Sequence, residues 1–131
     1  FNKDNEESRY AASFMTINDQ LKSKFILSIE GNDVATNTKW IMSSNSMCFM
    51  TKPKFETWLM EGRLIPNYHY VLINDDYSNL EEKINYYIEN TNEAEGIISN
   101  ANNYMRQFKD KKSEDWLHLK ILERYFSYSG Q

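Results

Sequence analysis

Residues 24–50 read KFILSIEGNDVATNTKWIMSSNSMCFM, and the alternation inside this stretch decides the fold. Phe25-Ile26-Leu27-Ser28-Ile29 is a short apolar run with branched and aromatic side chains, the composition of a buried strand. Glu30-Gly31-Asn32-Asp33 breaks it with turn formers. Val34 to Ser43 then reads as a helix carrying Lys39, although its β-branched residues lower the local propensity. Met47 to Thr51 is a second apolar run and a second strand. A strand that ends in a polar, glycine-containing turn before a helix is where α/β folds hold ligands, because the helix start leaves backbone N–H groups unpaired.

Outward from that unit the same alternation continues. Pro53 suits the first position of a helix and Gly62 its end, with Phe55, Trp58 and Leu59 on one face between them. Tyr68 to Ile73 is a third strand. Ser78 followed by Glu81 has the spacing of a capping box, and Leu80, Ile84, Tyr87 and Ile88 mark the helix behind it. A further helix runs from about Asn92 to Phe108. Lys109 to Lys112 form a basic turn, and Ser113 caps a last helix whose Trp116, Leu119, Leu122 and Phe126 are expected to be buried. Toward the N-terminus, residues 9–15 suit a short helix, and Asn18 to Lys22 connect into the first strand. The order is strand, helix, strand, helix, strand and three helices. The fold class is therefore α/β, Rossmann-like, with three layers. A small parallel sheet is covered on both faces, and helices close the C-terminal side. Residues 1–16 read as a polar N-terminal segment and 17–131 as the domain.

Composition narrows the function classes. The 131 residues carry a net charge of −4, which argues against nucleic acid as a partner. Cys48 is the single cysteine, so an internal disulfide is excluded and a reducing compartment is the simpler reading. No apolar run approaches the ~20 residues that span a bilayer.

Several residues invite chemistry, each beside a plainer role. In the turn after the first strand, Glu30 and Asp33 can accept hydrogen bonds from sugar hydroxyls, and Gly31 lets a ligand approach the backbone. Thr36, Asn37 and Lys39 can meet phosphate, with Lys39 as the positive charge. The plainer reading is a strand-to-helix turn capped by Asn32 or Asp33, with Lys39 in solvent. No GxGxxG or GK[ST] pattern is present. Ser43-Ser44-Asn45-Ser46 offers hydroxyls, or is a turn into the second strand. Glu56 can act as an acid, a base or a hydroxyl acceptor, beside a Trp58 that suits the core. His69 can serve as a general base, or is structural. Asp75-Asp76 can hold a divalent ion, or simply ends the third strand.

Four blocks together carry a family resemblance: K-F-I-L-x-I-E-G-N-D-V-A-x-N-x-K-W at 24–40, S-S-N-S at 43–46, F-E-T-W-L-M-E-G-x-L-I-P-x-Y-H-Y-V at 55–71 and D-D-Y-S-x-L at 75–80. In order and spacing they resemble the C-terminal part of glycosyltransferase family 90, over roughly residues 17–128. These are the capsule-associated and lipopolysaccharide-modifying glycosyltransferases.

The resemblance implies a GT-B-type enzyme of two Rossmann-like halves, in which the C-terminal half binds a nucleotide-sugar, usually a UDP-sugar. It implies donor-binding roles for Glu30, Gly31, Asn32, Asp33, Thr36, Asn37, Lys39, Ser44, Ser46 and Glu56, with His69 as a further candidate. It implies no metal and no cofactor. The acceptor would be a glycan or lipid-linked saccharide reached through the other half. The setting would be the cytoplasm, at the inner face of the inner membrane, with peripheral membrane association of the longer enzyme. Many relatives carry Arg where Asn37 stands, and Asn does not replace that charge. The family's proposed catalytic carboxylate lies in an N-terminal half to which no segment here corresponds. The chain is therefore expected to bind donor weakly and not to turn over alone. The competing reading is a non-catalytic interaction domain or nucleotide-binding regulator, with Trp116, Tyr125, Phe126 and Tyr128 forming an exposed docking patch.

Overall fold

The computed structural model describes residues 13–130. Three apolar runs form strands: β1 (Phe25–Leu27), of which Ile26 is buried and Leu27 exposed, β2 (Met47–Met50) and β3 (Val71–Leu72). All three are parallel, in the order β1-β2-β3, with Ile26 opposite Cys48 and Phe49 opposite Val71. The expected parallel sheet is thus present, with shorter strands. β2 is the central strand and is buried at every position.

Period-2 alternation sends the strand side chains into two separate clusters. Ile26, Cys48, Met50 and Tyr70 face one way and pack on helix α2 (Thr38–Met42) and on Leu59 and Leu64. Met47, Phe49, Val71 and Ile73 face the other way and pack on helix α3 (Leu80–Glu89). Phe49 anchors this second layer through edge-to-face contacts with Phe25 at 5.4 Å and Tyr87 at 6.3 Å. Helix α4 (Thr91–Arg106) serves both layers. Its Ala94 and Ile97 join the second cluster, and its Ala101 and Met105 the first. Asn102 fixes that placement by donating to the Ser44 carbonyl at 2.8 Å.

The differences from the sequence reading have local causes. α2 spans Thr38–Met42 rather than Val34 to Ser43, because Asn37 turns its side chain back to β1 instead of continuing a helix. Its amide donates to the Leu27 carbonyl at 2.9 Å, and its Oδ1 lies 3.0 Å from Ser28 Oγ. No α-helix lies between Pro53 and Gly62, where the chain makes turns and one 3-10 turn at Glu61–Arg63. Met60 takes a left-handed conformation (φ 55°), which an α-helix excludes. Glu61 is buried there and spends its carboxylate on Thr57, accepting from the amide and from Oγ1. Leu59 alone of the expected apolar face is buried, while Phe55 and Trp58 are exposed.

The capping box at Ser78 does not form either. Asp76 Oδ1 accepts from the Ser78 amide, and α3 starts two residues on, behind Asn79. The last helix, α5 (Lys111–Ser129), is capped by Asp110, which accepts from the Lys112 amide and the Ser113 hydroxyl. That cap consumes the basic turn expected at 109–112. The larger correction concerns burial: Trp116, Leu119, Leu122 and Phe126 are all exposed. Ahead of β1, a one-turn helix α1 (Ile17–Gln20) capped by Thr16 replaces the expected connection. Of the helix read over 9–15, residues 9–12 lie outside the described residues and 13–15 are not helical, and most of the segment 1–16 also lies outside them.

Candidate functional site

Parallel strands all point their carboxyl ends the same way, so the loops that leave them converge. Glu30 and Gly31 follow β1, Thr51, Lys54 and Phe55 follow β2, and Asp75 and Tyr77 follow β3. Together they line a cleft of about 100 Å³. Glu30 builds it. Its Oε2 accepts from the Lys54 amide at 3.0 Å, and its Oε1 accepts from the Phe55 amide at 3.3 Å. One carboxylate thereby clamps the loop after β2 to the loop after β1. The clamp presents Lys54, whose Nζ lies 3.2 Å from Asp75 Oδ2 on the loop after β3. Both partners of that pair are largely exposed, so it contributes under about 1 kcal/mol and exchanges readily for another anion. At Gly31 an added Cβ would meet open space, so the backbone is accessible there.

The sequence-derived candidates divide between the cleft and the scaffold. Glu30 and Gly31 line the cleft. Asn32 and Thr36 are exposed on the adjoining loop. Asp33 is on the same loop, with Oδ1 accepting from the Val34 amide at 2.8 Å. Asn37 is tied to β1, where Ser28 Oγ also lies 2.6 Å from Thr38 Oγ1 in a buried polar knot. Lys39 does not line the cleft, and its ammonium sits 5.3 Å from the Trp58 ring centroid. Glu56 folds back to accept from the Gly62 amide at 3.0 Å.

Ser44 and Ser46 precede β2, which puts them at the amino ends of the strands, opposite the cleft. A four-residue strand separates the two ends by about 13 Å. Ser44 donates to the Ile41 carbonyl, and Ser46 donates to the Ser23 carbonyl at 2.8 Å. His69 precedes β3 and shares that amino end. Its Nδ1 accepts from the Ile65 amide at 2.9 Å, its ring packs against Tyr68 and Tyr104, and burial lowers its pKa. It is a neutral imidazole in the packing of the 65–70 turn. Thr51, Lys54, Phe55 and Tyr77 are the cleft residues that sequence reading did not assign to a ligand, and Asp75, offered there to a divalent ion, pairs with Lys54 instead.

Among the described residues no group of three or more His, Cys, Asp and Glu side chains converges to hold a metal ion. Asp76 is occupied with the Ser78 hydroxyl and amide, which hold its carboxyl below the usual range. A larger groove of about 280 Å³ runs between α1, β1 and α3, but Phe25, Leu27, Leu80 and Ile84 make it mostly apolar. No helix among the described residues is long and apolar enough to cross a membrane.

Comparison with known proteins bears on this arrangement. Residues 1–128 match the family model described as Glycosyl transferase family 90. The O-glucosyltransferase LpsA of Dichelobacter nodosus is 49% identical over 118 residues, which are 90% of this chain and 37% of that protein. The chain thus spans little more than a third of the length of this curated relative.

Proposed function

The chain belongs to glycosyltransferase family 90, and on that premise we propose that its strand-end cleft holds the nucleotide-sugar donor of a glycosyl transfer. One observation carries the reading. Polar loops from all three strands converge at the carboxyl ends of a parallel sheet, and a single carboxylate, Glu30, locks two of them in place. The donor is a UDP-sugar. That the relative from Dichelobacter nodosus is an O-glucosyltransferase favours glucose as the sugar, and the acceptor in this reading is a lipopolysaccharide or capsular glycan. The unit is the donor half of a GT-B architecture.

Each cleft residue has a role in this reading. Lys54 leaves Asp75 and meets the diphosphate, where its ammonium offsets charge growing on the leaving group. Gly31 lets the nucleotide lie against the backbone. Phe55 and Tyr77, both exposed at the rim, offer ring faces to the base. In the transfer, the acceptor oxygen bonds to the anomeric carbon as the bond from that carbon to the diphosphate oxygen breaks. UDP leaves with the electron pair, and the acceptor proton passes to a carboxylate. Glu30 is committed to two amides, and Asp75, which Lys54 releases, stands largely exposed to water, so we assign that carboxylate to a place outside the cleft.

Titration of the chain with UDP and UDP-glucose, read by amide chemical shifts, tests the reading. Shifts confined to residues 30–33, 51–55 and 75–77 are expected. If those amides stay still at millimolar UDP, the donor-site assignment is wrong.

A further inference from the structure

We infer that Trp58 and Lys39 form a saccharide subsite beside the donor cleft, where the indole stacks on a sugar ring of the acceptor and the ammonium meets an acidic group attached to it. The inference rests on the reading above in one respect, that the acceptor is a glycan. Trp58 is 57% exposed, yet its ring is held in place. A chain of touching rings runs from the buried His69 to Tyr104, then Phe108, then Trp58, with centroids 5.1, 5.7 and 5.1 Å apart. The next residue, Leu59, is fully buried, and its carbonyl accepts from the Tyr104 hydroxyl at 2.7 Å. An exposed indole fixed in this way loses little freedom when a ligand stacks on it.

The chemistry of the pair selects the ligand. A pyranose ring presents a face of C–H bonds with partial positive charge, and the indole face carries the matching negative charge. The same field holds the Lys39 ammonium 5.3 Å from the Trp58 centroid. Lys39 forms no ion pair among the described residues. Glu56 accepts from the Gly62 amide and Glu61 from Thr57, so the carboxylates nearest Trp58 in the chain are engaged elsewhere. The charge on Lys39 is thus available to a carboxylate or phosphate on the glycan. Between Glu56 and Leu64, Trp58 is the one large apolar side chain exposed. A single indole suits one sugar ring and falls far short of the roughly 800 Å² that each partner gives to a stable protein interface. Position completes the case. Phe55 lines the donor cleft, and three residues of chain put the Trp58 Cα at most about 11 Å from it. A short saccharide bridges that span.

The experiment titrates the 131-residue chain with core oligosaccharide freed from lipopolysaccharide by mild acid, before and after its phosphates are removed. The readout is the indole N–H signal of Trp58, assigned by its loss in Trp58→Phe. That signal should move at millimolar oligosaccharide. Trp58→Ala should weaken binding about tenfold, whereas Trp58→Phe, which keeps a ring face, should stay within about threefold. Removing the phosphates should weaken binding about fivefold, and Lys39→Met, which keeps the stem, should erase that difference. If Trp58→Ala does not fold, the Trp58 signal and the Lys39→Met series decide. An indole signal that stays still, or equal binding by folded Trp58→Ala, overturns the inference. Equal affinity for the two oligosaccharides overturns the role of Lys39. Amide shifts of residues 30–33, 51–55 and 75–77 with UDP report on the donor reading separately. Their absence while the Trp58 indole moves sinks that reading alone, and the reverse sinks this one alone.

Discussion

Tyr70 shows how a single residue can be at odds with the core that contains it. Its side chain is fully buried beside Cys48, yet its phenol oxygen finds no hydrogen-bond partner among the described residues. A buried, unpaired hydroxyl costs about 1–3 kcal/mol. Tyr70→Phe is therefore expected to hold stability level or raise it by about 1 kcal/mol in urea unfolding. A loss of similar size would reveal a hidden partner. The same burial sets an alkaline limit. It pushes the Tyr70 phenol up to about 12, with the neighbouring Cys48 adding to it. It pushes the Cys48 thiol up to about 12 as well, against a hydrogen bond with Ser28 that pulls the other way. Both groups are neutral when folded and ionise more easily when unfolded. Their stabilisation is complete below about pH 9, the ordinary thiol value, and is lost as pH rises toward 12. Urea midpoints should fall between pH 9 and 11, and Cys48→Ala should flatten part of that slope. The third residue-scale prediction concerns Glu30. Glu30→Ala frees two amides and should weaken UDP binding about tenfold, while Glu30→Gln, which keeps an acceptor, should weaken it less. Isothermal titration would separate the two.

Among the elements, those that bury a face were legible and those defined by loop contacts were not. The three strands announce themselves because β2 is apolar at every position and its neighbours alternate between two clusters. α3 and α4 follow from apolar spacing at three and four residues. The stretch from Pro53 to Gly62 misleads, since its punctuation suits a helix. The contacts that decide it are Thr57 to Glu61 nearby and Glu30 to Lys54 from 24 residues away. The same limit governs the site. Glu30 and Gly31 are visible because they end a strand, whereas Lys54 and Asp75 meet Glu30 only through the parallel register. Ser44 and Ser46 look equally suited to a ligand in sequence, but the direction of β2 puts them at the wrong end. Thr57→Val tests the loop account. It removes the hydroxyl from the buried Glu61 carboxylate and should cost about 1–3 kcal/mol in urea unfolding. In a regular helix the same exposed-face change would cost a few tenths.

For the whole molecule, the sheet has three strands among the described residues, and the polar cleft at their carboxyl ends encloses only about 100 Å³. Binding and chemistry should therefore separate in this chain. Binding needs positive charge and accessible backbone, which Lys54 and Gly31 supply. Transfer further needs a carboxylate free to take the acceptor proton in a place closed to water. Glu30 is held by the Lys54 and Phe55 amides, and Asp75 by the Lys54 ammonium. Glu56 is turned to the Gly62 amide and Glu61 is buried against Thr57. Only Asp75, which Lys54 releases on meeting the diphosphate, lacks a structural task, and its side chain is 67% exposed to water. The 131-residue chain is accordingly expected to show heat of binding for UDP-glucose and no release of UDP, with or without a saccharide acceptor. The charge on Lys54 distinguishes this from general stickiness. Lys54→Ala should lower affinity for UDP about tenfold and leave affinity for uridine, which has no diphosphate, within about twofold. Equal losses for both ligands would mean that Lys54 shapes the cleft without meeting the phosphates.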